Sequence, residues 1–537
     1  MLSPRAELIH IQKKIYEANQ RRIHESIHVG EAGFLKYERQ YQLSVAKYKR
    51  IVDHDVLLRS LISSDIIYIG DYHTCHQSQR SFLRILKTLQ KNSKRPMLLC
   101  LELFHKSLQP IVDGYMAGRL SEEVFLKRIR LRERWVFDLW SNFKPILDFA
   151  KYHHIPIVGT EVAPVGASLG RRDKAAGRYI AEISEKYPEH QLLILVGDLH
   201  LAPPHLPKEV DQALKKRCLV RKTLTVFQNS DAIYWQLAKE GVVEKVDVVQ
   251  LSDNKFCLMN TPPIVCQQSY LNWLEHEEGE IDFSDARHHF LELVDRIAHY
   301  LRIPLKRKQD EVEVYTCGDL SFLKKLKNSY HFSNQEIRQV KQQVMASESY
   351  FIPKVPLVYL ANLSLNHAAE EASHYLKFLC TGEEKPRDRV DAFYANVLHE
   401  ALGFFGSKLI NPKRKCFHMN EYRALLRYFK KHRVPKGRGL EIEMARLLLA
   451  YKMWEHRGMA LAAGFVFDQP FEMFFAITHA LGYMLGDLMF YGLMSGAIKK
   501  SDIRKVFMDK WKAEGATYET YFRLLTKLRG VKIPKRM

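Results

Sequence analysis

No Cys-x-x-Cys pair occurs among the eight cysteines, which stand at 75, 100, 218, 257, 266, 317, 380 and 416 without framework spacing. A disulfide scaffold is therefore not expected, and a reducing, cytoplasmic setting fits best. The first 25 residues carry Arg5, Lys13, Lys14, Arg21 and Arg22 through polar sequence, with neither a continuous apolar core nor a small-residue cleavage site, so no secretory signal is expected. Long uninterrupted apolar runs are also missing. The most apolar stretch, Phe471 to Ile498, is broken by Glu472, His479 and Asp487, and a spanning helix would bury three ionisable groups in lipid. It reads as one or two buried helices, with no transmembrane segment. Low-complexity tracts are absent too, and 46% hydrophobic with 27% charged residues over 537 positions predicts two folded domains.

What is present in excess is positive charge, +21 formally. Lys306-Arg307-Lys308, Lys413-Arg414-Lys415, Lys430-Lys431-His432-Arg433 and a tail with Lys532, Lys535 and Arg536 all fall in the second half. Such a balance favours anionic partners, nucleic acid among them, although no nucleic-acid motif surrounds Tyr428, Phe429 or Trp454. A solvated basic surface is the plainer reading.

Between Asp65 and Met259, short apolar runs rich in β-branched residues alternate with amphipathic stretches. Expected strands are Asp65–Gly70, Pro96–Leu103, Ile155–Thr160, Gln191–Gly197, Arg221–Phe227 and Lys245–Leu251. Expected helices include Ser78–Gln90, Phe143–His153 and Asp173–Lys186. Largely apolar strands alternating with helices predict an α/β fold, a mainly parallel sheet with helices on both faces. Beyond Phe283 strand-like runs nearly vanish, Glu311–Cys317 being the one weak exception. Helices are expected at Asp285–Leu301, Asn334–Ala346, Val358–Leu379, Arg389–Leu409, Glu441–His456 and Phe471–Ile498, with Pro304–Glu313 as a linker. The expected organisation is a helical extension over 1–50, an α/β domain over 51–280 and an all-helical C-terminal domain over 281–537.

The most informative local feature is a recurrence. Gly70-Asp71-Tyr72-His73 follows the first expected strand and Gly197-Asp198-Leu199-His200 the fourth. In each, glycine permits a sharp turn where the strand ends, and a carboxylate and an imidazole emerge two residues apart. Glu102 and Glu161 stand at two further strand ends. Ligands of open parallel sheets bind beyond the carboxyl ends of the strands, so Asp71, His73, Glu102, Glu161, Asp198 and His200 should converge on one crevice. A single motif of this kind is usually turn chemistry; two matching motifs with two more carboxylates point to a site. Imidazole and carboxylate suit a divalent transition metal, and they also suit general-base activation of water, with His73, His200, Glu102 and Glu161 as the catalytic candidates. Histidine and tyrosine can instead ligate haem iron, which adds Tyr72 to His73 and His200 as cofactor ligands. Four gathered carboxylates need compensation, from a cation or from arginines such as Arg132, Arg134 or Arg171.

The runs GDYHTCHQSQRSFLRILKTL (70–89), RERWVFDLWSNFKPILDFAKYHHIPIVGTEVAP (132–164) and ILVGDLHLAPPHLP (194–207) together resemble the ChaN-like haem-binding family, whose superfamily includes Tiki-type proteases and erythromycin esterases. The resemblance implies haem or iron binding at the paired histidine motifs. This sequence departs from the family where Gly-Glu-x-His becomes Gly-Asp-Tyr-His and where Glu161 stands in place of a common Asn, making the site more acidic and better suited to a cation. Many family members are exported lipoproteins; this chain shows neither signal nor lipobox cysteine.

Three functions follow. The leading one is a haem- or iron-binding protein; the alternatives are a metal-dependent hydrolase acting on a small-molecule substrate and a basic module for nucleic acid or another anionic partner. Self-association is left open. In the helical half, His367, Glu370, Glu371 and His374 share the spacing of di-iron bundles, with His399, Glu400, Glu472 and His479 as further donors, although a polar helix face is the simpler reading. Gly482 and Gly486, four apart, would allow close helix packing.

Overall fold

In the computed structural model, residues 3–26, 32–130, 139–164, 166–277, 283–305, 312–316, 319–346, 349–352, 354–360, 364–382, 386–434 and 437–534 are described. Arg132 and Arg134, residues 306–311 of the expected linker with its Lys306–Lys308 cluster, and Lys535 and Arg536 lie outside them. The chain forms two compact units, Lys13–Ile281 and Met1–Gln12 with Asp282–Met537.

The first unit contains an eight-stranded sheet. Its strands are β1 (Arg50–Ile51), β2 (Ile66–Asp71), β3 (Met97–His105), β4 (Ile157–Glu161), β5 (Gln191–Gly197), β6 (Thr223–Gln228), β7 (Val248–Ser252) and β8 (Lys255–Leu258), in the order β1-β7-β8-β6-β2-β5-β3-β4. All six expected strands form. The pairings from β8 through β6, β2, β5 and β3 to β4 are parallel, while β7 is antiparallel to both β1 and β8. The short strands β1 and β8 were not foreseen, because two residues in one case and a polar start in the other leave no periodicity to read.

Runs such as IIYIGD are apolar at nearly every position because both faces of the sheet are covered, and all six residues of β2 are buried. Period two divides them. Ile67 and Ile69 join the core formed with Phe82, Ile85 and Leu86 of α1 (His76–Asn92) and with Phe143 and Ile146 of the helix Leu139–Tyr152. On the other side, Ile194 and Val196 of β5 line a pocket with Ile180 of α2 (Leu169–Lys186) and Leu206 of α3 (Leu206–Lys216). Because β2 and β5 are parallel neighbours, Asp71 lies opposite Gly197, which brings the two Gly-Asp-x-His motifs side by side.

The second unit is mostly helical, with α4 (Leu365–Thr381), α5 (Arg389–Ile410), α6 (Met419–Lys431), α7 (Gly439–His456) and α8 (Phe471–Ser495) among its helices beside Phe283–Leu301. It also holds a small sheet of β9 (Glu313–Thr316), β10 (Ser349–Ile352) and β11 (Leu357–Leu360), in the order β10-β11-β9. The helix expected from Val358 thus begins only at Leu365. Leu357-Val-Tyr-Leu is an aromatic and β-branched run buried at all four positions, parallel to β9 and antiparallel to β10, and that pairing overrides helical spacing. Among the described residues α8 alone is long and apolar enough to cross a membrane, yet 67% of its most apolar window is buried inside the protein. Its glycines explain the tight fit against α5. A Cβ on Gly482 would lie 2.3 Å from Glu400 Cβ, and one on Gly486 would lie 2.5 Å from the Ala401 carbonyl.

Candidate functional site

The carboxyl ends of β2, β3, β4 and β5 bring five of the six expected side chains together, with Glu102 at their centre. The Glu102 carboxylate accepts from the Gly197 N–H at 2.7 Å and from Arg172 Nη2 at 2.6 Å. Its two oxygens lie 3.9 Å from His73 Nε2 and 3.7 Å from His200 Nε2. Both imidazoles therefore point the same nitrogen at one carboxylate. Each Nδ1 is held from behind by another carboxylate, His73 by Asp71 at 2.8 Å and His200 by Asp173 at 2.5 Å. Gln79 of α1 fixes the other Asp71 oxygen, and the Tyr37 hydroxyl donates to Asp173. Glu161 is tied to the cluster through Arg172, whose Nε donates to it at 3.0 Å.

Charge sets the protonation states. Burial works against an ionised Glu102, but the charges of His200, His73 and Arg172 and the Gly197 N–H outweigh it and hold the carboxyl at about 2. Burial likewise opposes a charged His73; the Asp71 hydrogen bond, with the charges of Asp71 and Glu102, prevails and pushes the imidazole up to about 9. Asp198 goes the other way. Burial and the nearby Asp71 charge push it up to about 8, with bonds from Gln228 and Tyr41 offsetting only part, so it is neutral near pH 7. Its Oδ1 is buried without a hydrogen-bond partner.

Asp198 therefore sits beside Asp71 as a protonated acid and not as a fourth anion around Glu102. Tyr72 is not brought to the cluster either: it is half-buried, and the groups that act on its hydroxyl are Cys266, Asp231, Cys75 and Tyr270. Alternation at the strand end aims it away from its neighbours Asp71 and His73. The compensating arginine is Arg172 and not Arg171, whose neighbour reaches both Glu102 and Glu161 from α2.

The motif glycines stand at the strand ends without positive φ. Gly197 has φ −51° and Gly70 is not among the residues of positive φ, so neither serves a left-handed turn. Gly70 makes room instead. A Cβ on Gly70 would fall 1.6 Å from Asp198 Oδ1, and one on Gly197 would sit 3.4 Å from His73 Nε2 and 3.5 Å from His200 Cδ2. Gly70 thus accommodates the Asp198 side chain of the other motif, whereas a Cβ at Gly197 would make only ordinary contacts.

Sequence reasoning missed Arg172, Asp173 and Tyr37. Asp173 could have been found, since it precedes Gly177, Ile180, Ala181 and Ser184 at spacings of a buried helix stripe, where an acid requires a partner. Tyr37, from the helix Ala32–Ser44, stacks on His205 at 3.5 Å and reaches 136 residues along the chain to Asp173; nothing local signals it.

Size and exposure limit what can bind. Glu102, Glu161, Arg172, Asp173 and His200 line a cavity of about 20 Å³, room for one or two waters. His200 lines this cavity and is 8% exposed, whereas His73 is not part of its lining and is 31% exposed. Among the described residues, three His, Cys, Asp or Glu donors come within 4.8 Å of one another at one place, Cys416, His418 and Asp487 of the other unit. The two imidazoles thus straddle Glu102 more widely than a preformed chelate would.

The di-iron spacing in α4 resolves into separate pairs. Glu371 accepts from the Phe351 N–H at 2.6 Å and lies 3.2 Å from His374 Nδ1, Glu370 pairs with Arg414 at 2.9 Å, and Glu400 pairs with His479 at 2.8 Å. Nor is Lys413-Arg414-Lys415 a solvated basic patch. Lys413 is buried, and Arg414 lies over the rings of Phe404 and Tyr483.

Residues 57–169 match the family model described as haem-binding uptake, Tiki superfamily, ChaN. Residues 57–169, in the N-terminal half of the chain, thus correspond to a ChaN-like domain. The solved structure titled "Cofacial heme binding to ChaN of Campylobacter jejuni" is similar at 13% identity, covering 34% of this chain and 88% of that one, with a TM-score of 0.26. No curated protein matches.

Proposed function

We propose that the ChaN-like domain binds haem, with His73 Nε2 as the ligand to its iron. The observation that carries this reading is the setting of His73: 31% exposed, its Nδ1 anchored by Asp71 and its Nε2 on the side of Glu102 at 3.9 Å. A histidine ligand oriented by a carboxylate on its other nitrogen is the arrangement that iron and zinc sites favour. The cavity lined by Glu102 and His200 is far too small for a porphyrin, so haem would bind outside it, with His73 as the residue that would hold its iron. Bound haem would supply an iron centre for uptake or storage. Arg172 keeps Glu102 ionised, and Asp173 with Tyr37 fixes His200 behind the ligand as a positioning group. Titration of the purified chain with haemin should give a saturable Soret shift that His73→Ala abolishes and His200→Ala only weakens. An absent shift, or one unchanged in His73→Ala, refutes the proposal.

One observation favours a second reading, a metal-dependent hydrolase. Both Nε2 atoms face the same carboxylate, and each imidazole has its own acidic partner behind it. If the imidazoles drew together on an ion, the small cavity would hold the water to be activated. A stoichiometric transition metal in the purified chain, with no response to haemin, would favour this reading over the first.

A further inference from the structure

The helical unit contains a group of donors with no part in the haem reading. Cys416, Phe417 and His418 lead into α6 in extended backbone, His418 having φ −116° and ψ −175°. Alternation sends Phe417 outward, 48% exposed, and turns Cys416 and His418 inward against α8. There they meet Asp487, which is fully buried. His418 Nε2 lies 2.8 Å from Asp487 Oδ2, Cys416 Sγ lies 3.5 Å from the same Nε2, and Sγ lies 3.9 Å from the same Oδ2.

An ion pair accounts for part of this. Lys408 of α5, also fully buried, donates to Asp487 Oδ1 at 2.7 Å, and its ammonium is further satisfied by the Arg414 carbonyl and the Tyr491 hydroxyl, each at 3.2 Å. That ion pair explains why Asp487 is buried and what Oδ1 does. Oδ2 faces the thiol and the imidazole. A nucleophilic Cys-His-Asp relay would place thiol and carboxylate on opposite nitrogens of the ring. Here both face Nε2, and three donor atoms aimed at one point is the geometry of chelation.

We infer that Cys416, His418 and Asp487 form a binding site for a divalent cation of the zinc class, with Sγ, Nε2 and Oδ2 as ligands and a fourth position for water. Bonds of about 2.3 Å to sulfur and about 2.0–2.2 Å to nitrogen and oxygen around a tetrahedral ion put donors about 3.4–3.6 Å apart. The observed Cys–His separation of 3.5 Å already matches, Cys–Asp at 3.9 Å needs to close slightly, and His–Asp at 2.8 Å opens as the ion replaces that hydrogen bond. The mixed sulfur, nitrogen and oxygen set selects a borderline-soft ion over magnesium or calcium. Lys408 holds Oδ1, so Asp487 binds through one oxygen and is oriented from behind.

The test uses the full chain carrying His73→Ala and His200→Ala, which removes the imidazoles of the α/β cluster, titrated with Co²⁺ under reducing conditions. One equivalent should produce a thiolate-to-cobalt charge-transfer band together with intense d–d bands of a tetrahedral site, both displaced by Zn²⁺. Cys416→Ser should eliminate the charge-transfer band, and His418→Gln should weaken Co²⁺ affinity at least tenfold. Lys408 and Asp487 stay in place in both variants, and circular dichroism verifies the fold. If Cys416→Ser unfolds, the His418→Gln affinity decides. No charge-transfer band in the double-alanine chain, a band that survives Cys416→Ser, or an affinity unchanged in His418→Gln overturns the inference.

Discussion

Replacing Gly70 by alanine tests the interlock of the two motifs directly. The new Cβ would stand 1.6 Å from Asp198 Oδ1, 2.7 Å from its Cγ and 3.2 Å from Leu201 Cδ1, whereas carbon contacts are comfortable at about 3.5–4.0 Å. The carboxyl must retreat by roughly 2 Å, out of a site where Tyr41 and the Gln228 N–H bind it. Overpacking costs about 1–3 kcal/mol and the disturbed hydrogen bonds about 1 kcal/mol more. Alanine's lower entropy in the unfolded chain returns about 0.4–1 kcal/mol. The net expectation is a loss of about 2–3 kcal/mol, read from urea unfolding monitored by tryptophan fluorescence, since Trp140 and Trp235 lie in this unit. Asp198→Ala removes the clashing atoms, so Gly70→Ala should cost almost nothing in that background. Equal costs of Gly70→Ala with and without Asp198 would refute the reasoning, because distant independent sites add within about 0.5 kcal/mol.

Arg172→Gln leaves Glu102 and Glu161 without their shared cation; hydrogen bonds to charged groups contribute about 1.5–3 kcal/mol, so a loss of about 2 kcal/mol in urea unfolding is expected, with weakened haemin binding. Tyr37→Phe removes one bond to Asp173 and should cost about 1 kcal/mol, shifting haemin affinity less than His73→Ala does; an effect as large as that of His73→Ala would make Tyr37 more than a positioning group. In the helical unit, Glu400 is held at about 2 because the charge and hydrogen bond of His479, with His374 and His399, outweigh burial, while Glu371 and Glu400 push His374 up to about 9 against burial. Stability from Glu400 is complete above about 4.5 and lost as pH falls toward 2; stability from His374 is complete below about 6.5 and lost as pH rises toward 9. Melting temperature against pH should thus peak between those values, and Glu371→Gln should flatten the alkaline limb; an unchanged limb would show that Glu371 does not set the His374 charge.

The α/β architecture was legible because its strands are buried on both faces, so composition alone marks them: IIYIGD, MLLCLEL and QLLILVG have few alternatives at that length. The helix–strand error at Val358 came from a run of four buried residues, too short for period to separate the two. Strand-end convergence was legible because parallel strands end at one edge of the sheet, and Asp71, His73, Glu102, Glu161 and His200 do meet. What the sequence concealed was the division of labour. Asp198 and Tyr72 occupy strand-end positions like the others, yet the direction in which a side chain leaves the last residue depends on the turn that follows, and Asp198 is bound there by Tyr41, which is distant in sequence.

The supporting residues carry a physical lesson about where such signals hide. A histidine whose Nε2 is to meet a ligand must have its Nδ1 fixed, and the fixing group need only be within hydrogen-bond reach in space. For His73 that group is two positions away, Asp71, and motif reading finds it. For His200 it is Asp173, 27 residues earlier on a helix otherwise apolar on its inner face. Cys416 and His418 also depend on a distant carboxylate, Asp487 of α8, about seventy residues downstream. In each of the last two cases the acid is buried, at 2% and 0% exposure. A fully buried Asp on an apolar helix is costly unless something ionic answers it. The apolar stripe around each acid is written in the sequence, so asking which imidazole or ammonium offsets that cost singles out Asp173 and Asp487 from helical spacing alone.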